Sequence, residues 1–314
     1  MPRFDVTIAG ELNLDLILYG LPKEMPLERE LLAERMVLTL GSSSAIVAHN
    51  LATMGSRVGF QSRIGDDQLG QMALERLEQA GVDVSQVCRA PAPAQTGLTV
   101  ILHHAAGRNI LTYPGTIAEL TLADLDLESL CDSRLLHLSS YYLQKGLRPQ
   151  VGKLFRKLKA AGLTISLDTN DDPDDLWEGD LRDVLGYVDI FLPNAREACK
   201  IAGTEDLDVA VKRLAELVPL VVVKLGSEGA MAQQGGERVV SPAVHVTAVD
   251  PVGAGDSFDA GFLHQFLLGA DLATCLATGN LAGALSTTGP GGTEAFRNPA
   301  HRQRFFREHS RTPA

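Results

Sequence analysis

Short apolar runs alternate with amphipathic stretches along the second half of the chain. Residues 163–167 (LTISL), 188–192 (VDIFL) and 220–224 (LVVVK) are almost continuously apolar and short enough to be strands. A helical period precedes the first run, between Pro149 and Gly162. Almost continuously apolar strands separated by helices are typical of a parallel sheet covered on both faces. The pattern therefore predicts an α/β fold.

The first half of the chain has a different pattern. Residues 4–9 (FDVTIA) predict an initial central strand. Residues 16–40 mix β-like runs with prolines, and residues 96–113 hold two β-like runs around a polar segment. We predict that these two stretches form a small β lid on a single α/β domain spanning residues 1–314. The pattern alone is equally compatible with surface loops.

Composition narrows the classes of partner. The chain has 28 basic and 39 acidic side chains and a net charge of −11, which argues against nucleic acid as a partner but allows a local anion pocket. The N-terminus lacks the pattern of an export signal, and no apolar stretch approaches the about 18 residues of a membrane-spanning helix. The four cysteines are far apart and lack C-x-x-C spacing, as in reduced proteins. We expect a cytoplasmic protein without a membrane partner.

The segment with the most chemical information is DPVGAGD, residues 250–256. The apolar residues that follow recur at helical spacing, so a helix begins close to Gly255 or Asp256. Glycines before a helix let the backbone approach a ligand, and the first-turn amides together with the helix dipole favour an anion. Asp256 is then either a helix N-cap or a general base that takes a proton from a hydroxyl beside a transferred phosphoryl group. Neither a dinucleotide fingerprint nor a P-loop is present.

This segment closely resembles the C-terminal signature of the ribokinase-like (PfkB) carbohydrate kinases. Six further segments resemble family motifs, in the family's order: residues 10–15 (GELNLD), 41–44 (GSSS), 63–70 (RIGDDQLG), 168–170 (DTN), 193–197 (PNARE) and 224–229 (KLGSEG). The resemblance implies a ribokinase-like three-layer sandwich with a mostly parallel central sheet and a small β lid. It also implies an ATP-dependent kinase that phosphorylates a hydroxyl, predicted to be primary, of a sugar or sugar acid.

The resemblance further implies roles for individual residues. Asp256 would be the catalytic base, and the amides of Gly253, Ala254 and Gly255 would hold the phosphoryl group. The residues that would contact the sugar are Asn13, Asp15, Gly41, Ser42, Ser43 and Asn50. The residues that would line the ATP site are Asn170, Asn194, Lys224, Gly226, Gly229 and Asn280.

Metal ions and a second chain are also expected. By resemblance, Asn194 and Glu197 would organise Mg²⁺, through water since Mg²⁺ keeps several waters. Asp250 and carbonyl groups in residues 286–291 would bind a monovalent cation such as K⁺. A lid sheet leaves hydrogen-bonding edges and an apolar face that would be costly alone, so we expect a homodimer formed through the lids.

The chain departs from the family pattern at two places. Ser42 replaces the second glycine of the sugar-binding turn, and Ile46 replaces an asparagine. Asn50 lies one helical turn later, where it either faces the same site or is a surface or capping residue. Lys224 stands where threonine is common, and it either contacts phosphate or extends to solvent.

Several of these residues also have simpler interpretations. Asn13 and Asp15 are typical of turns, Glu197 of a first helical turn, and Asn280 of helix packing. Arg108, between the lid strands, either reaches the substrate or is solvated. Alternative functions are a nucleoside kinase of the same superfamily and a non-catalytic regulator that binds a sugar or nucleotide.

Overall fold

The computed structural model describes residues 2–104, 107–177 and 179–309. The strands in this part of the chain are β1 (Phe4–Ala9), β2 (Asn13–Leu21), β3 (Arg35–Leu40), β4 (Val58–Gly65), β5 (Asp83–Ala90), β6 (Gly97–His104), β7 (Gly107–Tyr113), β8 (Ser133–Leu138), β9 (Thr164–Leu167), β10 (Ile190–Phe191), β11 (Leu220–Lys224), β12 (Ala230–Gln234) and β13 (Glu237–Ser241). The α-helices are α1 (Ser43–Met54), α2 (Gln68–Ala80), α3 (Leu127–Cys131), α4 (Val151–Ala160), α5 (Leu181–Leu185), α6 (Ala195–Ala202), α7 (Leu207–Ala215), α8 (Ala254–Leu267), α9 (Leu272–Thr287) and α10 (Pro299–His309).

Nine strands form the main sheet, in the order β13-β12-β11-β10-β9-β8-β1-β4-β5. The pairs from β11 to β5 are parallel, and β12 and β13 add an antiparallel ribbon at one edge. Parallel strands that are buried on both faces contribute side chains to two cores in alternation. In β11, Leu220 and Val222 belong to one core and Val221 and Val223 to the other. The predicted α/β class is therefore confirmed.

Helices cover the main sheet on both faces. One core joins the sheet to α1, α2, α8 and α9, and the other joins it to helices α3 to α7. This gives the three layers that the sequence predicted. Among the described residues, no helix combines the length and the apolar character that crossing a bilayer requires.

Four strands form a second, smaller sheet, in the order β3-β2-β6-β7. Residues 16–40 and 96–113, which we predicted to form a lid, both contribute strands to it, although the sheet begins earlier, at Asn13. Because side chains alternate between the faces of a strand, Asn13, Asp15 and Tyr19 share one face of β2 and are buried. This inner face carries the polar residues that the sequence associated with a sugar.

Candidate active site

A glycine-rich turn leads directly into α8. The helix starts at Ala254, and its N-cap residue Gly253 has a φ of 72°, in the left-handed region. A Cβ at Gly253 would overlap the Cα of Gly292, so the close approach of these two backbone segments requires glycine. Among the described residues, the backbone amides of Gly255 and Asp256 donate to no protein group. Unpaired amides at a helix N-terminus, beside a cleft, are suited to holding an anion, and we call residues 253–256 the anion-binding turn.

The carboxylate of Asp256 lies beside these amides. It makes no capping hydrogen bond to the helix, so the N-cap interpretation is wrong. Oδ1 lies 3.5 Å from Nδ2 of Asn170, and the Ser43 hydroxyl also bonds to this carboxylate. Burial and repulsion from Asp168 raise the pKa of Asp256 to about 6, although Lys224 and Ser43 act in the opposite direction. A carboxylate with this pKa is ionised at neutral pH and basic enough to accept a proton.

A buried lysine lies beneath the anion-binding turn. The Nζ of Lys224 is 2.6 Å from Oδ2 of Asp168 and 3.2 Å from each carboxylate oxygen of Asp259. The Lys224 side chain is 11% exposed, so the interpretation that it extends to solvent is wrong. Burial alone would lower the pKa of Lys224, but Asp168 and Asp259 raise it, so the ammonium keeps its charge. Nζ lies 3.6 Å from where a Cβ of Gly255 would be, which places a positive charge next to the turn.

Asn194 and Glu197 form a capping box at the start of α6. The Asn194 backbone amide donates to Glu197 at 2.9 Å, and the Glu197 amide donates to the Asn194 side chain at 3.0 Å. Burial and repulsion from Asp168 raise the pKa of Glu197 to about 7. Both residues line the cleft beside Asp256. The described residues contain no group of three or more His, Cys, Asp and Glu side chains arranged to hold a metal directly.

A cleft of about 580 Å³ extends from the turn along the edge of the main sheet. The predicted ATP-site residues lie on its wall: Asn170, Asn194, Lys224, Gly226, Gly229 and Asn280. Asn280 donates to the carbonyl oxygens of Ser241 and Pro242, at 3.1 and 3.0 Å, and so fixes the opposite wall. Asn280 therefore packs within the protein and also lines the cleft, two roles that the sequence presented as alternatives.

The predicted sugar-contacting residues lie on the other side of Asp256. Asn13 donates to the Thr99 hydroxyl at 3.1 Å. Burial and repulsion from Asp256 and Asp250 raise the pKa of Asp15 to about 7. A side chain at Gly41 would overlap the Asp15 carboxylate, so glycine leaves room for it.

The remaining predicted sugar-site residues lie around the start of α1 and on the small sheet. The Ser42 hydroxyl is used within the protein, because it donates to the carbonyl of Glu11 at 2.5 Å. The Ser43 hydroxyl accepts from Asn170 at 3.0 Å and lies next to Asp256. Arg108 is exposed on β7 and also lines the cleft.

The prediction for Asn50 needs correction. Asn50 is fully buried, and its Nδ2 donates to the Ser257 hydroxyl at 3.0 Å and to the Gly292 carbonyl at 3.1 Å. Its Oδ1 lies 2.8 Å from the His49 ring. The face of α1 that carries Asn50, one helical turn beyond Ile46, packs against α8. The Asn50 side-chain amide therefore links α1 to α8 and does not face a substrate.

Sequence analysis missed several polar residues around the site. Asp259 was visible as a second charged residue one helical turn after Asp256 in a mostly apolar helix. Glu11 accepts from the Ser44 amide at 3.0 Å and from the Ser140 hydroxyl at 2.8 Å, and its position next to a motif glycine was the only signal. These two residues add buried carboxyl groups around Asp256.

Comparisons with known proteins agree with this geometry. The family described as pfkB family carbohydrate kinase matches residues 3–299. A fructokinase of Klebsiella pneumoniae is 33% identical over 280 residues, covering 83% of this chain and 90% of the relative. A 2-dehydro-3-deoxygluconokinase of Bacillus subtilis is 31% identical over 265 residues, covering 80% of this chain and 82% of the relative.

A putative ribokinase II from E. coli has a similar solved structure. Without ligand it gives a TM-score of 0.87 at 25% identity, and in complex with ATP and Mg²⁺ it gives 0.83 at 24%. Both alignments cover 98% of this chain and 100% of the other. The predicted ribokinase-like fold and the predicted ATP-dependent carbohydrate kinase are therefore confirmed. The match across nearly the whole length shows that this chain belongs to the pfkB family of carbohydrate kinases.

Proposed function

We propose that this kinase transfers the γ-phosphate of ATP to a hydroxyl, expected to be a primary one, of a sugar or sugar acid. One observation supports this most strongly. The Asp256 carboxylate and the unpaired amides of Gly255 and Asp256 lie within one helical turn, between the cleft and the inner face of the small sheet. A base and an anion-binding turn placed side by side suit proton removal from a hydroxyl that attacks phosphorus.

In the proposed mechanism, the protein mainly positions the reactants and stabilises charge. Asp256 takes the proton of the attacking hydroxyl, and the amides of the turn hold the transferred phosphoryl group. The Lys224 ammonium beneath the turn adds positive charge there. Asn13, Asp15 and Gly41 shape the acceptor side, and the small sheet acts as a lid that excludes water during transfer.

The residues around the cleft also suit Mg²⁺ bound with ATP. Asn194 and Glu197 carry amide and carboxylate oxygens, hard ligands of the kind that Mg²⁺ prefers, and these oxygens already accept hydrogen bonds within the capping box. They would therefore hold the ion through water molecules. When bound, Mg²⁺ neutralises charge on the ATP phosphates.

A coupled assay of ADP release tests the proposal. The enzyme is given Mg²⁺-ATP with a hexose, a pentose, a sugar acid or a nucleoside, and ADP formation is measured against a blank without acceptor. We expect release with at least one sugar or sugar acid, and none of it without Mg²⁺. Release with nucleosides alone would identify a nucleoside kinase, and acceptor binding without any ADP would identify a non-catalytic regulator.

The pKa of Asp256 predicts how the rate depends on pH. Since Asp256 must be ionised to accept a proton, we expect kcat/KM to be constant above about pH 6 and to fall about tenfold per unit below it. This fall is the acidic limb of the pH profile. Asp15 and Glu197, whose pKa values are raised to about 7, are alternative sources of such a limb. The Ser43 hydroxyl lowers the pKa of Asp256, so Ser43→Ala should move the limb to higher pH. A limb that stays in place in this variant would belong to another group.

We also propose a homodimer formed through the small sheets. The register aligns apolar side chains in rows across the outer face of the sheet: Met36, Leu38, Leu16, Leu18, Val100, Leu102 and Leu111. Met36 and Leu111 are 64% and 53% exposed. An exposed apolar face of this kind favours burial against a second copy.

Light scattering tests this prediction. We expect the wild type to have the mass of two chains and Leu111→Lys to have the mass of one, because the charge would be buried in the interface. Leu268 lies after α8, away from the small sheet, and is 68% exposed. Leu268→Lys is therefore the control and should stay dimeric. A wild type with the mass of one chain would contradict the proposal.

We place the enzyme in a reducing compartment, the cytoplasm. All four cysteines (Cys88, Cys131, Cys199 and Cys275) are free, as is usual where thiols stay reduced.

A further inference from the structure

Tyr19 connects the small sheet to the anion-binding turn. It lies on β2, on the same face as Asp15, and its hydroxyl donates to Oδ2 of Asp250 at 2.5 Å. The ring is 8% exposed. The guanidinium carbon of Arg35 lies 4.2 Å from the ring centroid, and the His103 ring lies 5.3 Å away. Neighbours on β3 and β6 therefore hold the tyrosine in place.

Asp250 in turn holds the backbone around the turn. It is fully buried, its Oδ1 accepts from the Val252 amide at 2.9 Å, and its Oδ2 accepts from the Gly291 amide at 3.1 Å. Val252 directly precedes Gly253, and Gly291 directly precedes Gly292, the residue that Gly253 approaches closely. The Asp250 carboxylate thus ties together the two backbone segments that shape the anion-binding turn.

These bonds occupy most of the acceptor capacity of the Asp250 carboxylate, where the sequence analysis expected a monovalent cation. Three donors point at its carboxylate, from Tyr19, Val252 and Gly291. A cation at the same oxygens would meet hydrogen atoms that carry partial positive charge. One predicted partner, the Thr287 carbonyl, already accepts from the amides of Val249 and Asp250, at 2.7 and 3.1 Å.

We propose that Tyr19 is a positioning residue for phosphoryl transfer, whose hydroxyl holds Asp250 and the anion-binding turn in place without a monovalent cation. This inference rests on the proposed kinase function. Because β2 carries both Tyr19 and the acceptor-side residues Asn13 and Asp15, the same strand positions the sugar site and the turn.

Replacing Tyr19 by phenylalanine removes only the hydroxyl. Losing this hydrogen bond to the Asp250 carboxylate should loosen the turn, so we expect kcat to fall about tenfold or more, while KM for ATP and for the acceptor changes less than about threefold. Tyr113→Phe is the matched control, because the Tyr113 hydroxyl bonds to Gln95 at 3.3 Å on an exposed part of the same sheet. Equal kcat values for Tyr19→Phe and Tyr113→Phe would overturn the positioning role.

The response to cations provides a second measurement, on the wild type. Rates are compared in KCl, NaCl and tetramethylammonium chloride at equal ionic strength, with ADP separated by chromatography, because coupling enzymes can themselves require K⁺. We expect them to agree within about twofold, since Asp250 is already satisfied by protein donors. Activation by K⁺ of about tenfold or more would overturn the proposal. In Tyr19→Phe the missing donor exposes a carboxylate oxygen, so K⁺ should restore part of the lost rate.

Thallium(I), which replaces K⁺ and scatters anomalously, gives a measurement that needs no activity. Crystals of the wild type soaked in Tl⁺ should show no anomalous peak beside Asp250. A peak there, or beside the Ser286 hydroxyl, which is buried without a hydrogen-bond partner among the described residues, would overturn the proposal. If no acceptor supports ADP release, the proposed function fails, but the Tl⁺ soak still tests the cation site. The soak uses wild-type crystals, so its result also does not depend on whether Tyr19→Phe folds.

Discussion

Asp256→Asn should lower turnover by about 10²–10⁴ fold, the usual contribution of a general base. The amide cannot accept the proton of the attacking hydroxyl, while the unpaired backbone amides of the turn are unchanged. We therefore expect calorimetry to show that ATP and acceptor bind as in the wild type. The coupled ADP assay measures the loss, and Asp66→Asn, at an exposed carboxylate, is the control. Turnover near that of the wild type would exclude Asp256 as the base.

Thermal unfolding separates this effect from misfolding. The pKa of Asp256 is raised from 3.8 to about 6 in the folded protein, so the folded state binds its proton more tightly than the unfolded state. Above pH 6 the buried charge is then unfavourable, by up to about 3 kcal/mol at pH 8. A neutral asparagine removes this cost, so Asp256→Asn should have a Tm equal to or above that of the wild type. A lower Tm would indicate that lost contacts explain the lost activity.

Lys224→Met should cause the largest loss of stability among single substitutions at the site. It leaves the Asp168 carboxylate, 1% exposed in its side chain, as a buried charge without a cation. Removing one partner of a buried ion pair costs about 3–5 kcal/mol. Urea unfolding at neutral pH measures this free energy. The double variant Lys224→Met/Asp168→Asn should recover part of it, because the unpaired charge is removed.

Lys159 offers a matched control. Its Nζ lies 2.7 Å from Asp189, almost as close as Lys224 lies to Asp168, but the side chains of Lys159 and Asp189 are 37% and 28% exposed. Solvent screens this pair, so Lys159→Met should cost about 1 kcal/mol or less. If Lys224→Met and Lys159→Met lost equal amounts of unfolding free energy, burial would not determine how much the Lys224 ion pairs contribute to stability.

The main sheet could be predicted from the sequence because burial on both faces leaves a simple pattern. Residues 220–224 read as one apolar run, and β11 spans those residues. The pairing of Lys224 could not be predicted in this way. Its partners Asp168 and Asp259 lie 56 and 35 residues away along the chain, and neither apolar period nor motif spacing fixes which strand ends meet.

Sequence predicted the parts of the candidate site that depend on backbone conformation better than the parts that depend on how helices and strands pack together. Glycines before an apolar helix indicated the turn at Gly253, since few other sequences allow a left-handed residue and free amides there. Helical spacing alone suggested that Asn50 shares a face with the site. That face packs against α8 instead, and only the three-dimensional arrangement of the helices shows this. Tyr19 had no motif, and its importance depends on a contact with a residue 231 positions away.

The small sheet is built from two excursions of the chain, β2–β3 and β6–β7, inserted between elements of the main sheet. Of the residues that we propose to face the acceptor, Asn13 and Asp15 lie on these insertions, whereas the turn, Asp256 and Lys224 belong to the main body. On this proposal, exchanging these insertions would change which alcohol is accepted, while the residues proposed for phosphoryl transfer would stay in place. The strand β2 sets the limit of such grafting, because any exchanged segment must still present a hydroxyl to Asp250.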